Sequence, residues 1–207
     1  MLVAARTHDY GKQPVDHLAK LLRSESIEAA QLVLPKAFSE INSYDEVTPR
    51  LVEQIRRNFE EENVKIQILG CYMDLANPDD DVRKNAVDTF KKCLKFNQIL
   101  GAAIVGTETA YPRLSRAEKK IWHPYMMDSI ARLAEEAERL YVDMAIEPVY
   151  WHPLEDLETT VKVFEKVDSS HLKMIFDPAN VLEFPEIDQD AYWKEWLCVL
   201  GDKVEAI

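Results

Sequence analysis

The sequence predicts an α/β fold, in which short apolar strands alternate with longer amphipathic helices. Seven strand candidates begin roughly 30–40 residues apart, which is the length of a strand, a helix and two loops. Several are apolar at consecutive positions, as expected of parallel strands that are covered on both faces. The candidates are residues 2–5, 30–34, 64–69, 102–105, 143–146, 172–176 and 204–207.

The segments between the strand candidates carry helix signals. Thr48 supplies an N-cap before Pro49, which suits the first turn of a helix. Asn77 and Pro78 repeat this arrangement, and Gly101 ends the helix that follows. Apolar residues at helical spacing, which we assign to the core, extend over residues 51–59, 82–94, 126–140 and 157–164.

The order of the elements favours a barrel over a doubly wound sheet. With only five glycines, the chain has neither a GxGxxG motif nor a phosphate-binding P-loop. A (β/α)8 barrel, or TIM barrel, needs eight strands and typically about 250 residues. The 207 residues supply about six β/α units and a seventh strand. We therefore expect one domain over residues 1–207, an incomplete TIM barrel whose C-terminal part is missing.

Composition and charge argue against several classes of protein. With 25 basic and 37 acidic residues, the formal net charge is −12, which opposes binding to nucleic acid. The three cysteines are widely spaced, which is typical of reduced thiols in a cytoplasmic protein. No apolar stretch reaches about 18 residues and no signal peptide is recognisable, so we expect no membrane span.

Two strand candidates end in a carboxylate followed by proline. Glu147 comes before Pro148, and Asp177 comes before Pro178. The carboxyl ends of successive parallel strands converge on one mouth, where acidic side chains can hold a metal or move a proton. Acidic residues also cap turns and helices just past strands, which is the alternative interpretation. Two carboxylates in register, joined by Glu108 after the fourth strand candidate, favour a functional site.

Glu147 and Asp177 together form half of a metal site. Carboxylate oxygens with a histidine suit Mn²⁺, Mg²⁺, Co²⁺ or Zn²⁺ and leave positions open for substrate oxygens. If one metal joins the two residues, their side-chain oxygens lie within about 3–5 Å of each other. None of the five histidines is an obvious third ligand.

Four other polar residues are candidates for the same mouth. His8 follows the first strand candidate, and His152 lies in the segment after Glu147. Lys36 ends the second strand candidate, where it either meets an anionic group or is solvated. Asn180 follows Asp177 and either donates to a substrate oxygen or caps the next segment.

Four segments carry a resemblance to a known family. They are Gly-Cys-Tyr-Met-Asp-Leu at 70–75, Val-Gly-Thr-Glu-Thr at 105–109, Ile-Glu-Pro-Val at 146–149 and Phe-Asp-Pro-Ala-Asn at 176–180. With them, nearly the whole chain resembles the sugar phosphate isomerase/epimerase family, the xylose isomerase-like TIM barrels. The Ile-Glu-Pro and Asp-Pro-x-Asn pair, in this order and spacing, is fairly specific for the superfamily and does not identify a substrate.

The resemblance implies that Glu147 and Asp177 are ligands of a divalent metal. In the family, a histidine after strand seven and a glutamate on strand eight complete the set, and this chain ends where that histidine is expected. The implied reaction is the isomerisation or epimerisation of a sugar or sugar phosphate through an enediolate, with Glu147 as the base. The residues implied to line the sugar pocket are Glu108, His152, Asn180, His8, Lys36 and Tyr72.

Two other functions are compatible with the same pattern. Endonuclease IV-type hydrolases of DNA need extra histidines, one of them three residues after the strand-six aspartate, where this chain has Asn180. A carbohydrate-binding barrel without turnover is the second alternative.

The expected lack of an eighth strand has consequences of its own. The first and seventh strands then keep unpaired backbone groups along their edges. We expect an open barrel whose gap is filled by a partner segment or by self-association, so that a homo-oligomer is one outcome. We also expect that the 207 residues alone do not complete the reaction.

Overall fold

The computed structural model describes residues 3–184 and 188–207. Within them, seven strands alternate with helices in the predicted order. Each strand begins and ends within two residues of its predicted bounds, and residue 2 of the first candidate lies outside the described residues. The strands are Ala4–Arg6 (β1), Ala29–Leu32 (β2), Lys65–Gly70 (β3), Ile104–Thr107 (β4), Met144–Ile146 (β5), Leu172–Ile175 (β6) and Val204–Ala206 (β7).

Seven α-helices are present in the described part of the chain. They are Leu18–Ser24 (α1), Leu34–Ala37 (α2), Pro49–Glu61 (α3), Asp80–Leu100 (α4), Arg116–Leu140 (α5), Leu157–Val167 (α6) and Gln189–Leu200 (α7). The four segments with predicted apolar stripes correspond to α3, α4, α5 and α6. Residue 34, predicted to end the second strand, begins α2 instead, because Pro35 suits the first turn of a helix.

Local signals set the ends of the helices. The side chain of Thr48 accepts a hydrogen bond from the Leu51 amide at 3.3 Å, as predicted for the N-cap of α3. At α4 the predicted cap, Asn77, lies too early in the chain. Its side chain accepts from the Asp79 amide, and Asp79 in turn accepts from the first amides of the helix. Gly101 follows α4 with a φ of 75°, a conformation that costs glycine little.

The strands form one sheet in the order β1-β2-β3-β4-β5-β6-β7. The pairs β1–β2, β2–β3, β5–β6 and β6–β7 are parallel. The predicted α/β class, with six β/α units followed by a seventh strand, is confirmed. Parallel neighbours such as β5 and β6 end at the same edge of the sheet, which is where Glu147 and Asp177 follow them.

Contacts divide the chain into two compact units, Met1–Cys71 with Lys92–Val105 and Tyr72–Lys91 with Gly106–Ile207. In the first unit, Ala30 and Leu32 of β2 and Ile55 and Phe59 of α3 are buried. In the second unit, the predicted apolar stripe of α5 is buried and forms core, as the sequence indicates. Its members are Met126, Ile130, Leu133, Ala137 and Leu140.

Two expectations from composition can be compared with the structure. All three cysteines are free thiols, with Cys71 and Cys93 buried and Cys198 exposed. Over residues 3–184 and 188–207, no helix has both the length and the apolar character that crossing a membrane requires.

Candidate active site

Glu147 lies at the carboxyl end of β5, a strand whose three residues are all buried. Its amide donates to the Thr107 carbonyl at the end of β4, at 2.9 Å, which extends the pairing of the strands by one residue. Pro148 follows and favours an extended backbone at Glu147. The glutamate is only 6% exposed, so an acidic group occupies a buried position at the end of the strand.

Asp177 comes two residues after β6 and caps the turn that it begins. Its Oδ1 atom accepts hydrogen bonds from the amides of Ala179 (2.8 Å) and Asn180 (3.3 Å), which is an Asx turn. The capping interpretation of this acidic residue is therefore correct for one carboxylate oxygen. Because both turn bonds converge on Oδ1, capping does not occupy Oδ2.

Asn180 contacts both predicted ligands. Its side-chain amide donates to Glu147 Oε1 at 2.7 Å, and its backbone amide lies 3.3 Å from Asp177 Oδ1. Its carbonyl accepts from the Tyr150 amide at 2.8 Å, so the loops after β5 and β6 are joined at this residue. The contacts that Asn180 shares with both residues support the prediction that the carboxylates of Glu147 and Asp177 lie close enough for one metal to join them. The distance between the two carboxylates stays a prediction.

Glu108 and His152 are brought together on the loops after β4 and β5. His152 is 1% exposed, and its Nδ1 atom lies 3.8 Å from Glu108 Oε2, too far for a hydrogen bond. Nδ1 is buried without a hydrogen-bond partner. Burial, followed by the charge of Lys119, lowers the pKa of His152 to about 4. The imidazole is therefore neutral near pH 7, and the pair is not an ion pair.

Lys119 of α5 is a buried cation that the sequence does not single out. Its ammonium donates to the Tyr150 carbonyl at 2.8 Å and pairs with Glu155. A second hydrogen bond to this loop comes from just before α5, where the Leu114 amide donates to the Trp151 carbonyl at 3.0 Å. These contacts hold the loop after β5. Nothing in the helical pattern distinguishes Lys119 from the exposed lysine that follows it, which explains why sequence reasoning missed it.

Tyr72, another pocket residue implied by the resemblance, lies two residues after the end of β3 in the loop before α4. Its carbonyl accepts a hydrogen bond from the Tyr111 hydroxyl at 2.9 Å. The next amide, of Met73, donates to Thr107 Oγ1 at 3.3 Å. The start of the loop before α4 is therefore joined to residues at and after the end of β4.

His8 and Lys36 belong to the first unit, in which each follows a strand end. His8 lies in a short 3-10 turn after β1, and Lys36 lies in α2 after β2. The Arg6 guanidinium approaches His8 Nε2 at 2.8 Å. Burial, followed by the charge of Arg6, lowers the pKa of His8, although Asp9 opposes the change. That His8 and Lys36 line a sugar pocket stays a prediction.

A family model described as "Xylose isomerase-like TIM barrel" matches residues 16–206, which is most of the chain. The chain belongs to the xylose isomerase-like TIM barrel family. This membership confirms the resemblance seen in the four sequence segments and the predicted barrel class. Among curated proteins, no significant match is found.

Solved structures of xylose isomerase-like barrels and sugar epimerases share the fold. D-psicose 3-epimerase from Clostridium cellulolyticum H10, solved with D-tagatose, has a TM-score of 0.77 at 16% identity, covering 99% of this chain and 71% of that one. The 3-keto-D-glucoside 4-epimerase YcjR from E. coli gives 0.77 at 12% identity, with 99% and 77% covered. A xylose isomerase-like barrel protein from Mycobacterium smegmatis, in complex with magnesium, gives 0.71 at 14% identity, with 96% and 72% covered.

The xylose isomerase-like family implies a divalent metal, so the donor set of this chain decides whether one fits. Glu147 and Asp177 follow neighbouring parallel strands and offer the hard carboxylate oxygens that Mg²⁺ and Mn²⁺ prefer. Among residues 3–184 and 188–207, no group of three or more histidines, cysteines, aspartates or glutamates is arranged to hold a metal. The chemistry of these two carboxylates fits a divalent metal, and that they are two ligands of a larger set stays a prediction.

Proposed function

We propose that this protein is a divalent-metal-dependent isomerase or epimerase of a sugar or sugar phosphate that acts through an enediolate. The observation that carries the proposal is the pair of carboxylates after β5 and β6, which both contact Asn180. The similar solved structures named as sugar epimerases, and the one with magnesium bound, support the same class. We further propose a cytoplasmic location and a small-molecule sugar as the partner.

Glu147 and Asp177 would hold the metal, with Mn²⁺, Co²⁺, Mg²⁺ and Zn²⁺ as the candidates. A bound divalent cation polarises the substrate carbonyl and an adjacent hydroxyl, which lowers the cost of forming an enediolate. Asp177 would bind through Oδ2, because its Oδ1 atom caps the turn.

The Glu147 carboxylate is the proposed base. It takes the proton from the carbon beside the carbonyl, and the strand-eight glutamate that the resemblance implies would return a proton to the other face of that carbon or to the neighbouring one. Its burial at 6% exposure limits competition from water for that proton. The proposed pocket residues are the six that the resemblance implies: Glu108, His152, Asn180, Tyr72, His8 and Lys36.

Exchange of substrate hydrogen with solvent deuterium tests this function. For a version of the chain that is extended through an eighth strand, with Mn²⁺ present, we expect one member of a panel of ketoses and ketose phosphates to gain deuterium at the carbon beside the carbonyl, as seen by NMR. Removal of the metal by a chelator should stop the exchange. Glu147→Gln should slow it by about 10²–10⁴-fold, the usual loss for a general base. Glu158→Gln, on the exposed face of α6, is the control. Undiminished exchange by Glu147→Gln would exclude Glu147 as the base.

A second candidate function is the binding of a sugar without turnover. It is favoured by the donor set, because only two metal-ligand carboxylates are proposed and no larger cluster is found among the described residues. Calorimetry with the same sugar panel distinguishes the two functions. Saturable binding without deuterium exchange, in the presence of each of the four metals, supports the binding protein over the isomerase.

A further inference from the structure

The side chain of Asn180 makes a contact that no local turn explains. Its Nδ2 atom donates to Glu147 Oε1 at 2.7 Å, across a separation of 33 residues. Charge-assisted hydrogen bonds of this length are stronger than bonds between neutral groups. The acceptor is the buried carboxylate that we propose as both ligand and base, so the contact acts on the most important group of the candidate site.

The backbone of Asn180 is fixed independently of that contact. Its amide donates to the Asp177 carbonyl at 3.1 Å, and its carbonyl accepts from the Tyr150 amide at 2.8 Å. The loops after β5 and β6 therefore both set the direction in which the side chain leaves the backbone. Loss of the side-chain amide would leave these backbone bonds in place.

Helix α7 holds the turn on both sides of Asn180. The indole Nε1 of Trp193 donates to the Pro178 carbonyl at 3.2 Å, and the hydroxyl of Tyr192 donates to the Val181 carbonyl at 3.2 Å. The asparagine thus lies in a short segment that is fastened before and after it. A donor held in this way can orient its acceptor instead of following it.

We propose that Asn180 is a positioning residue for Glu147, whose amide fixes Oε1 and so the direction in which the carboxylate meets a metal. This inference rests on the proposed metal-dependent function. An asparagine suits the role because its amide keeps its donors at any pH of interest, whereas a histidine would gain or lose a proton. Partners that orient metal ligands typically change metal affinity by about 10–100-fold when they are mutated.

Asn180→Ala and a matched control test the proposal. Asn77 makes the same kind of contact in the same unit, from Nδ2 to Asp74 Oδ2 at 2.7 Å. Its acceptor, Asp74, is not a proposed metal ligand. Mn²⁺ binding to the unmodified protein, to Asn180→Ala and to Asn77→Ala is measured by calorimetry, together with thermal unfolding. We expect Asn180→Ala to bind Mn²⁺ about 10–100-fold more weakly and Asn77→Ala to keep the original affinity.

A swap of side-chain length adds a second readout. Asn180→Gln lengthens the donor by one methylene and Glu147→Asp shortens the acceptor by one. Each change alone should weaken Mn²⁺ binding, whereas the double variant should bind more tightly than the sum of the two losses predicts. Such coupling identifies a direct interaction between the two side chains.

Three results would overturn the proposal, and they can be told apart. Equal Mn²⁺ affinity of Asn180→Ala and the unmodified protein would show that Asn180 does not position Glu147, while the metal-dependent function stands. An equal loss in Asn77→Ala would show that the affinity follows the stability of the unit and not the contact. If the unmodified protein binds no Mn²⁺, this inference fails for the 207 residues, whereas the deuterium-exchange experiment decides the metal-dependent function separately.

Discussion

Two asparagines of the second unit make nearly the same contact in different settings. Asn77 donates to Asp74 and Asn180 donates to Glu147, both at 2.7 Å. Asn77 and Asp74 are three residues apart within the loop before α4, so chain connectivity alone keeps them close. Asn180 and Glu147 lie on different loops, and other interactions must hold both loops for the contact to exist.

The difference shows what a sequence-distant contact requires. The loop after β5 is bound from the α5 side through Lys119, and the turn after β6 is bound from α7 through Tyr192 and Trp193. The contact of Asn77 shapes one loop, whereas the contact of Asn180 depends on two helices that lie outside both loops. Perturbing those supports should therefore affect the Asn180 contact and leave the Asn77 contact unchanged.

The largest expected effect is that of Lys119→Met on stability. The change removes a buried ammonium and leaves Glu155 and the Tyr150 carbonyl without its bonds. Breaking a buried pair costs about 3–5 kcal/mol, and we expect the lower end, about 3 kcal/mol, because Glu155 is partly exposed. Urea unfolding measures it, with the exposed Lys120→Met as control. Equal stability of the two variants would show that this support is unimportant.

Acid should be the next largest perturbation of the same loop, through His152. Its folded-state pKa of about 4 lies below the ordinary 6.5, so the unfolded chain binds more protons in this interval. Stability from this group is therefore complete above pH 6.5 and is lost as the pH falls towards 4. The loss is about 2.5 kcal/mol between pH 8 and pH 4.5.

The pH dependence of urea unfolding isolates this contribution. His152→Gln should lose less stability than the unmodified protein on going from pH 8 to pH 4.5. The exposed His17→Gln should retain the full loss. The same acid sensitivity in His152→Gln would contradict a neutral, buried His152.

Asn77→Ala tests the local contact of the comparison. It removes the donor to Asp74 Oδ2, in a buried carboxyl whose Oδ1 already lacks a hydrogen-bond partner, and it also removes the acceptor of the Asp79 amide. Leaving a buried acceptor unsatisfied costs about 1–3 kcal/mol, so we expect a loss of about 2 kcal/mol. If the loss comes from the contact between Asn77 and Asp74, Asp74→Ala should lower the free energy of unfolding by no more than Asn77→Ala does. Urea unfolding of both variants measures this.

The smallest expected effect is that of Tyr192→Phe, which removes one hydrogen bond to the turn after β6. The lost bond, to the Val181 carbonyl at 3.2 Å, should cost about 1 kcal/mol. Tyr141→Phe, at a tyrosine that is 86% exposed, should be neutral in the same unfolding measurement. If both variants have the same free energy of unfolding, the Tyr192 hydroxyl does not contribute to holding the turn after β6 against α7.

The fold could be predicted from the sequence because strands and caps are local features. The seven strands lie within two residues of their predicted bounds, since apolar runs punctuated by helix signals determine them. The sequence predicts Asn77 as the cap of α4, but Asn77 and Asp79 are both good caps, and only the structure shows that Asp79 is the one that meets the helix amides.

The supports of the candidate site could not be predicted from the sequence. Glu147 and Asp177 were recognisable because each ends an apolar run before a proline. The contacts of Lys119 with Tyr150, and of Trp193 with Pro178, join residues 31 and 15 positions apart. Neither lysine nor tryptophan on a helix indicates by itself which carbonyl it will meet, since that depends on how the helix packs.

The Asx turn at Asp177 has a consequence for anyone who selects variants by how well they fold. Asparagine presents the same Oδ1 acceptor as aspartate, so Asp177→Asn would keep both bonds to Ala179 and Asn180 and should be as well tolerated as the original residue. A survey scored on expression or solubility would then report this position as freely exchangeable. If Asp177 is a metal ligand, as we propose, a survey scored on metal retention would report the opposite, and the disagreement between the two surveys would identify the residue as a ligand.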